Sequence, residues 1–226
     1  MISVIIPVYN EEKILLKNEL YFKSLSELVD LIFVDGGSKD RTKEIATDYG
    51  RVFNEGKCRA KQMNRGAMQA KEDILFFLHA DAVINKENIE QIRRAVYGKN
   101  IIGGCFRQVI DQPGLIYRWI AFTGNVRAKF QHIYYGDQGI FVRKDIFQDM
   151  KGFPDLPICE DIFFTKALKT RGNVSFLNCP IYCSARRWLK QGILKTYFQN
   201  LRINLALSLG EDLNRLAREY QDVREK

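Results

Sequence analysis

The sequence predicts an α/β fold built on a mostly parallel central sheet flanked by helices, and three observations carry that prediction. Short, unbroken apolar runs recur at 2–8, 31–34 and 74–78, the pattern of strands buried on both faces. Stretches with apolar residues at helical spacing separate them. Each run ends abruptly in small or acidic residues: Tyr9-Asn-Glu-Glu12, Asp35-Gly-Gly-Ser38 and His79-Ala-Asp81. In open α/β sheets ligands bind outside the carboxyl ends of the strands, so carboxylates at those ends are placed for use.

Ile2-Ser-Val-Ile-Ile-Pro-Val8 is the first strand, and Pro7 implies a ladder that stops or is one-sided there. Asn10 is a candidate N-cap for a helix opened by Glu11 and Glu12. Leu31–Val34 is the second strand, after which Ser38 or Asp40 can cap a helix from Arg41 to Tyr49. Arg51–Asn54 is a short third strand. Gly56 to Ala70 reads as a helix, basic on one side, with Ala60, Met63, Ala67 and Met68 at helical spacing. The fourth strand runs to Phe77-Leu78 and delivers His79 and Asp81, with another helix starting near Lys86. Strands alternating with helices imply right-handed crossovers in a parallel sheet.

The second half departs from that alternation. Ile101–Ile110 is strand-like, and Gly103-Gly104 within it suggests a bend or a close backbone approach. Pro113 to Arg127 is aromatic and helical in pattern, Gly139–Arg143 a strand, and Asp145–Met150 a short helix. The loop Gly152-Phe-Pro-Asp-Leu-Pro157 leads to Glu160-Asp161, which open an amphipathic helix to about Thr170. Val174–Leu177 and Ile181–Ser184 read as two short strands of a small further sheet, and the rest, from Leu189, as two helices broken near Gly210. No repeat, low-complexity tract or linker divides the chain. It reads as one domain over 1–226, with halves at 1–100 and 101–188 and C-terminal helices at 189–226.

At 226 residues and 46% hydrophobic content the chain can bury a full core without disulfides. Cysteines 58, 105, 159, 179 and 183 contain no C-x-x-C and meet only two histidines, so buried thiols in a reduced, cytoplasmic protein are expected rather than a zinc site. No secretory leader pattern opens the sequence, and no apolar run approaches the ~18 residues of a membrane span. The net charge of +8 and the pI near 9.2 favour anionic partners. Cations gather at 51–71 (Arg51, Lys57, Arg59, Lys61, Arg65, Lys71) and again after Arg186.

Glu11, Asp35 and Asp81 converge on one sheet edge if their strands are neighbours. Acids bind phosphate only through a metal, but bind ribose hydroxyls and base N–H groups directly. Taken singly, each is equally a turn or cap residue. The order of motifs is more informative. Val4-Ile-Ile-Pro-Val-Tyr-Asn-Glu11, Phe33-Val-Asp-Gly-Gly-Ser-Lys-Asp40, Phe77-Leu-His-Ala-Asp81, Gly136-Asp-Gln-Gly139, Glu160-Asp161 and Ala185-Arg-Arg-Trp188 resemble, in sequence order, those of family 2 glycosyltransferases. The resemblance covers most of 1–190. It implies a GT-A fold and inverting transfer of one sugar, of the hexosyl or N-acetylhexosaminyl class, from a nucleotide-diphosphate sugar to an acceptor hydroxyl.

By that resemblance Pro7, Tyr9 and Glu11 line the base pocket, Asp35 contacts base or ribose, and Ser38, Asp40 and Arg59 lie near the nucleotide. Asp81 matches the last acid of the family's D-x-D motif, which binds Mn²⁺ or Mg²⁺ and the diphosphate. His79 stands where the first acid would be, as in a small soluble bacterial subgroup that also reads His-Ala-Asp, and so joins the nucleotide-sugar set. Glu160-Asp161 match the acidic pair beside the acceptor, Asp161 being the base. Asp137 and Gln138 fall in the acceptor pocket. Arg187-Trp188 match the end of Q-x-x-R-W, a motif of processive members. Ser184 replaces its Gln, which argues for single-sugar transfer.

Three other classes fit the sequence less well. A sugar nucleotidyltransferase needs a glycine-rich loop after the first strand, and Pro7-Val-Tyr-Asn10 has no glycine; the same lack disfavours a dinucleotide dehydrogenase. A nucleic-acid-binding protein fits the pI, but the aromatics fall mostly within apolar runs, and no nucleic acid is expected. The C-terminal helices carry an apolar stripe (Leu189, Ile193, Leu194, Tyr197, Leu201, Leu205) with a basic flank. Packing on the sheet is the simpler expectation for that stripe. Peripheral contact with the inner face of the cell membrane is the sharper one, suited to the case in which the acceptor, lipid or saccharide, is a lipid.

Overall fold

A computed structural model describes residues 1–219. The first half is the expected alternation: β1 (Ile2–Val8), α1 (Glu12–Lys17), α2 (Glu19–Ser26), β2 (Asp30–Asp35), α3 (Thr42–Thr47), β3 (Arg51–Asn54), α4 (Arg59–Gln69) and β4 (Ile74–Phe77). A two-residue strand β5 (Ala82–Val83), α5 (Lys86–Arg93) and β6 (Gly103–Ile110) follow. Next come α6 (Leu115–Gln131), β7 (Ile140–Arg143), α7 (Lys144–Asp149), α8 (Glu160–Leu168) and β8 (Val174–Cys183). The described chain closes with α9 (Arg186–Gln191), α10 (Ile193–Ser208) and α11 (Leu213–Glu219).

All eight strands form one sheet in the order β3-β2-β1-β4-β7-β6-β8-β5. Strands β3, β2, β1 and β4 are mutually parallel, so their carboxyl ends share one edge. The strands of the second half join this same sheet: β7 is antiparallel to β4 and β6, and β8 is parallel to β6. Pro7 pairs with Val34 on one side, while the β1–β4 ladder ends at Ile5 and Phe77, so the missing N–H is not needed.

The sheet is buried on both faces, as its apolar runs require. Ile2, Val4, Ile6 and Val8 point into one cluster with Phe22, Phe33 and Phe76; Ile5, Leu75 and Phe77 point into a second with Met63, Phe147, Phe153 and Phe164. Gly103 and Gly104 mark a close backbone approach. A Cβ at Gly103 would lie 2.7 Å from the Phe141 carbonyl, and one at Gly104 would overlap the Ser175 carbonyl.

Three sequence expectations are corrected. Asn10 does not cap α1; it sits at φ 51°, Glu11 precedes the helix, and the Asn10 side chain instead accepts from the Lys39 N–H at 2.9 Å. The two short strands at 174–184 are one strand. Pro180 is tolerated inside it because β8 pairs with β5 only at Tyr182 and Cys183, leaving an edge elsewhere, and a bulge at Phe106/Arg107 absorbs the irregularity. From Arg186 on there are three helices, broken at Gly192 (φ 86°) and around Gly210 (φ 72°), and residues 220–226 of the last predicted helix lie outside the described residues.

Candidate active site

The loops after β1 and β2 are tied to each other. The Asp35 carboxylate accepts from the Gly37 N–H (3.0 Å), the Ser38 N–H (3.1 Å) and the Ser38 hydroxyl, closing its own turn. Ser38 Oγ accepts from the Asn10 N–H at 2.9 Å; Asp40 accepts from the N–H groups of Thr42 (3.0 Å) and Glu12 (3.3 Å). Gln62 of α4, buried and polar, donates to the carbonyls of Val8 (2.9 Å) and Val34 (2.8 Å), fixing the ends of β1 and β2 together. On the same rim the Lys57 ammonium lies 4.4 Å from the centre of the Tyr9 ring.

Asp81 and Glu11 meet at one cation that the sequence did not single out. Arg186, at the start of α9, donates to Glu11 Oε2 at 2.6 Å and Oε1 at 2.9 Å, and its guanidinium is 3.1 Å from Asp81 Oδ2. Glu11 is only 4% exposed and Asp81 keeps some access to solvent. The cap reading of Asp81 fails, since Asn85 caps α5 through a reciprocal box with Asn88. Asp111 holds the segment that presents Arg186, accepting from the Ala185 N–H at 2.7 Å.

Among the described residues no three His, Cys, Asp or Glu side chains gather as a metal cage. Asp81 is 22% exposed with one oxygen against Arg186, which leaves its other oxygen for a hard cation such as Mg²⁺ or Mn²⁺ that takes one or two protein carboxylates and draws its other ligands from phosphate and water. His79 is turned elsewhere. Its ring lies against Gly136, where a Cβ would come within 2.7 Å of Nε2, and it shares a small cavity with Pro7, Arg59, Glu160 and Asp161.

Glu160 and Asp161 open α8, where the helix dipole favours anions, after Cys159 at φ 63°. Asp161 Oδ2 accepts from the Gly136 N–H at 2.7 Å and Oδ1 from the Ile162 N–H at 2.8 Å. Burial and the neighbouring Asp161 push Glu160 up to about 7, against the pull of Arg59. Burial also raises Asp161, but the Gly136 amide, Arg59 and the Ile162 amide oppose it. Asp161 thus has two amide donors from other residues besides Arg59, whereas Glu160 is opposed in its rise only by Arg59 and its own amide.

The Gly136-Asp-Gln turn rests on a polar network within the second half of the chain. Gln108 Nε2 donates to Asp137 Oδ2 at 2.6 Å, Asn125 exchanges hydrogen bonds with the Gln108 backbone (2.8 and 2.9 Å), and Arg127 donates to Gln138 Oε1 at 3.1 Å while lying 3.3 Å from the centre of the Tyr135 ring. Asp137 Oδ1 is buried without a hydrogen-bond partner among the described residues, and burial, with Asp161 and Asp81 adding to it, raises that carboxyl. Trp188 packs into a small cluster with Tyr117 and Ala121 of α6 and Ile193 of α10, and Arg187 precedes it on α9.

Because the folded-state value of Glu160 lies above its ordinary one, the folded chain holds the proton longer than the unfolded chain between about pH 4.5 and 7. Stability therefore falls as pH rises through that window and is flat beyond it. Glu160→Gln is expected to remove the Glu160 share of this slope, on the order of a few kcal/mol by neutral pH, in urea titrations run across the same range, leaving the share of Asp137 and Asp161, which burial also raises.

A model of the glycosyl transferase family 2 matches residues 3–198. Glycosyltransferase AglE of Haloferax volcanii is 29% identical over 210 residues, 82% of this chain and 67% of that protein. The undecaprenyl-phosphate 4-deoxy-4-formamido-L-arabinose transferase of Pseudomonas paraeruginosa is 28% identical over 117 residues, 46% of this chain and 34% of that one. The chain thus spans between about a third and two thirds of the length of these relatives. In fold it is similar to the mannosyltransferase PcManGT of Pyrobaculum calidifontis, solved with GDP-Man and Mn²⁺, at a TM-score of 0.60 and 16% identity over 89% of this chain and 64% of the other. With the match running from β1 into α10, the chain belongs to glycosyl transferase family 2.

Proposed function

We propose that the chain is an inverting glycosyltransferase that moves one hexosyl or N-acetylhexosaminyl unit from a nucleotide-diphosphate sugar to a hydroxyl of a lipid acceptor at the inner face of the cell membrane. The observation that carries this reading is the meeting of two acidic groups on one sheet edge: Glu11 and Asp81 beyond the parallel strands, and Glu160-Asp161 at the start of α8. Pro7, Tyr9, Glu11, Asp35, Ser38 and Asp40 would form the nucleotide side. Asp81 would hold Mg²⁺ or Mn²⁺ against the diphosphate, where a divalent cation offsets the charge that builds on the leaving group. Asp137, Gln138, Arg187 and Trp188 would shape the acceptor side.

In the transfer, Asp161 takes the proton of the acceptor hydroxyl. The oxygen's electron pair forms a bond to the anomeric carbon, and the bond from that carbon to the diphosphate breaks with its pair leaving on the diphosphate, inverting the centre. Arg59 and the amides of Gly136 and Ile162 favour the charged form of Asp161 against the burial that raises it. Burial and Asp161 hold Glu160 toward its neutral form, so the pair need carry only one charge. The names of the relatives support the partners chosen: one specifies undecaprenyl-phosphate, and the PcManGT complex contains a nucleotide sugar with Mn²⁺.

Thermal melting with UDP-, GDP- and dTDP-sugars, each with and without Mn²⁺, tests the donor half. A true donor at ~100 Kd adds about 2.7 kcal/mol, roughly 5–11 °C for a domain of this size, and the rise should need the cation. No rise with any nucleotide would remove the reading.

A further inference from the structure

We propose that α6 and α10 dock this protein onto an anionic lipid bilayer, with the Trp119–Phe122 face of α6 entering the headgroup layer. On α6, Leu115, Trp119, Phe122, Val126 and Phe130 recur every three or four residues and are 80, 56, 57, 38 and 73% exposed. Tyr117, Ala121 and Ala128 form the buried side, so the exposed stripe is the helix's outward face. On α10, Leu194, Phe198, Leu201 and Leu205 repeat the arrangement, all exposed, while Thr196 and Ala206 face inward. Both helices hang on one small cluster, Tyr117 and Ala121 from α6 and Ile193 from α10. Apolar stripes of this length on a protein surface mark an interaction site.

The charge selects the occupant. Helix α6 carries three cations and the segment 186–210 carries five, with no Asp or Glu in either, so these two stretches hold the equivalent of the whole net charge of +8. Arg127 and Arg186 turn into the site, whereas Arg118, Lys129, Lys190, Lys195 and Arg202 are exposed. Long cationic stems beside an apolar stripe let the stripe sink while the charges stay at the headgroups. A second copy of this chain would set like charges against each other, and a nucleic acid offers little apolar bulk to cover Leu115, Val126 and Leu205. An anionic bilayer supplies both an apolar layer and negative charge. The surface stands independently of the chemistry; as a route to a lipid acceptor it rests on the transferase reading.

Flotation of the full chain with vesicles rich in phosphatidylglycerol, against vesicles of phosphatidylcholine alone, tests the proposal at moderate salt. Partition into the anionic vesicles should exceed that into neutral ones by on the order of tenfold or more. The double substitution Trp119→Glu and Phe122→Glu should lower it by on the order of tenfold or more, and Phe198→Glu with Leu201→Glu should act likewise. All four side chains are exposed, so melting temperature and nucleotide binding should be unchanged in both variants. Absence of partition, partition that survives both double variants, preferential capture by a random oligonucleotide, or a dimer that either variant dissociates would each overturn it. Flotation without any nucleotide binding would leave the docking face standing and remove the transferase reading; nucleotide binding without flotation would do the reverse.

Discussion

Replacing Asp161 by Asn is expected to lower the rate of sugar transfer by about 10²- to 10⁴-fold while leaving donor affinity within a small factor. The amide is nearly isosteric, and its oxygen can still accept from the Gly136 N–H, so the turn at Gly136-Asp137-Gln138 should keep its place. What the variant lacks is a group that can take a proton. The signature is therefore a fall in kcat with KM for the donor preserved, together with loss of the acidic limb of the pH–rate profile. Glu160→Gln in the same assay should be far milder, because burial and Asp161 already hold Glu160 toward its neutral form. If Asp161→Asn turned over normally, Asp161 would not be the base. Equal loss in both variants would mean that the pair acts as one unit.

Arg186→Ala should have the largest effect on the folded state of any single change at the site. It strips both hydrogen bonds from Glu11, which is almost wholly buried, and one contact from Asp81. Removing one partner of a buried pair costs about 3–5 kcal/mol; Arg186 is itself 23% exposed, so about 2–3 kcal/mol is the better expectation here. That corresponds to a fall of roughly 4–12 °C in melting temperature. Adding Glu11→Gln to Arg186→Ala should return much of it, since an amide without a charge tolerates the vacated position better than a carboxylate does. If the double variant melted no higher than the single one, the loss would lie in the packing of α9 rather than in the charge at Glu11.

Much of the site was legible because its framework is local in sequence. β1, β2 and β4 announce themselves as apolar runs, and their terminal acids follow within four residues, so Glu11, Asp35 and Asp81 could be placed on one edge before any coordinates. Contacts across long separations were not legible. Arg186 meets Glu11 from 175 residues away, and nothing near either residue signals the other. Gln62, Gln108, Asn125 and Arg127 are polar residues inside apolar or helical runs, and only the folded arrangement gives them partners. The continuity of β8 was hidden for a different reason: Pro180 would break a central strand but not an edge, and which of these β8 is depends on how short β5 turns out to be. The outward stripe of α6 was hidden as well. Helical periodicity reveals an apolar side, not whether the protein covers it, and the aromatics assigned to apolar runs include Trp119, Phe122 and Phe130 on the surface.

The two-residue strand β5 has a role larger than its length. Asp81 stands immediately before it, and Arg186 stands three residues after the end of β8, to which β5 is paired at Ala82–Cys183 and Val83–Tyr182. The acid and the cation of this ion pair are thus the two jaws of one caliper, gauged by a single short ladder. Loops between Val83 and Tyr182 that touch neither the ladder nor Asp111 leave that gap alone, whereas a slip of one residue in the ladder would turn the jaws to opposite faces of the sheet. Insertions should therefore be tolerated in exposed loops of the second half away from Asp111, Gly136 and Glu160, and hardly at all within the few residues that flank β5 and the end of β8.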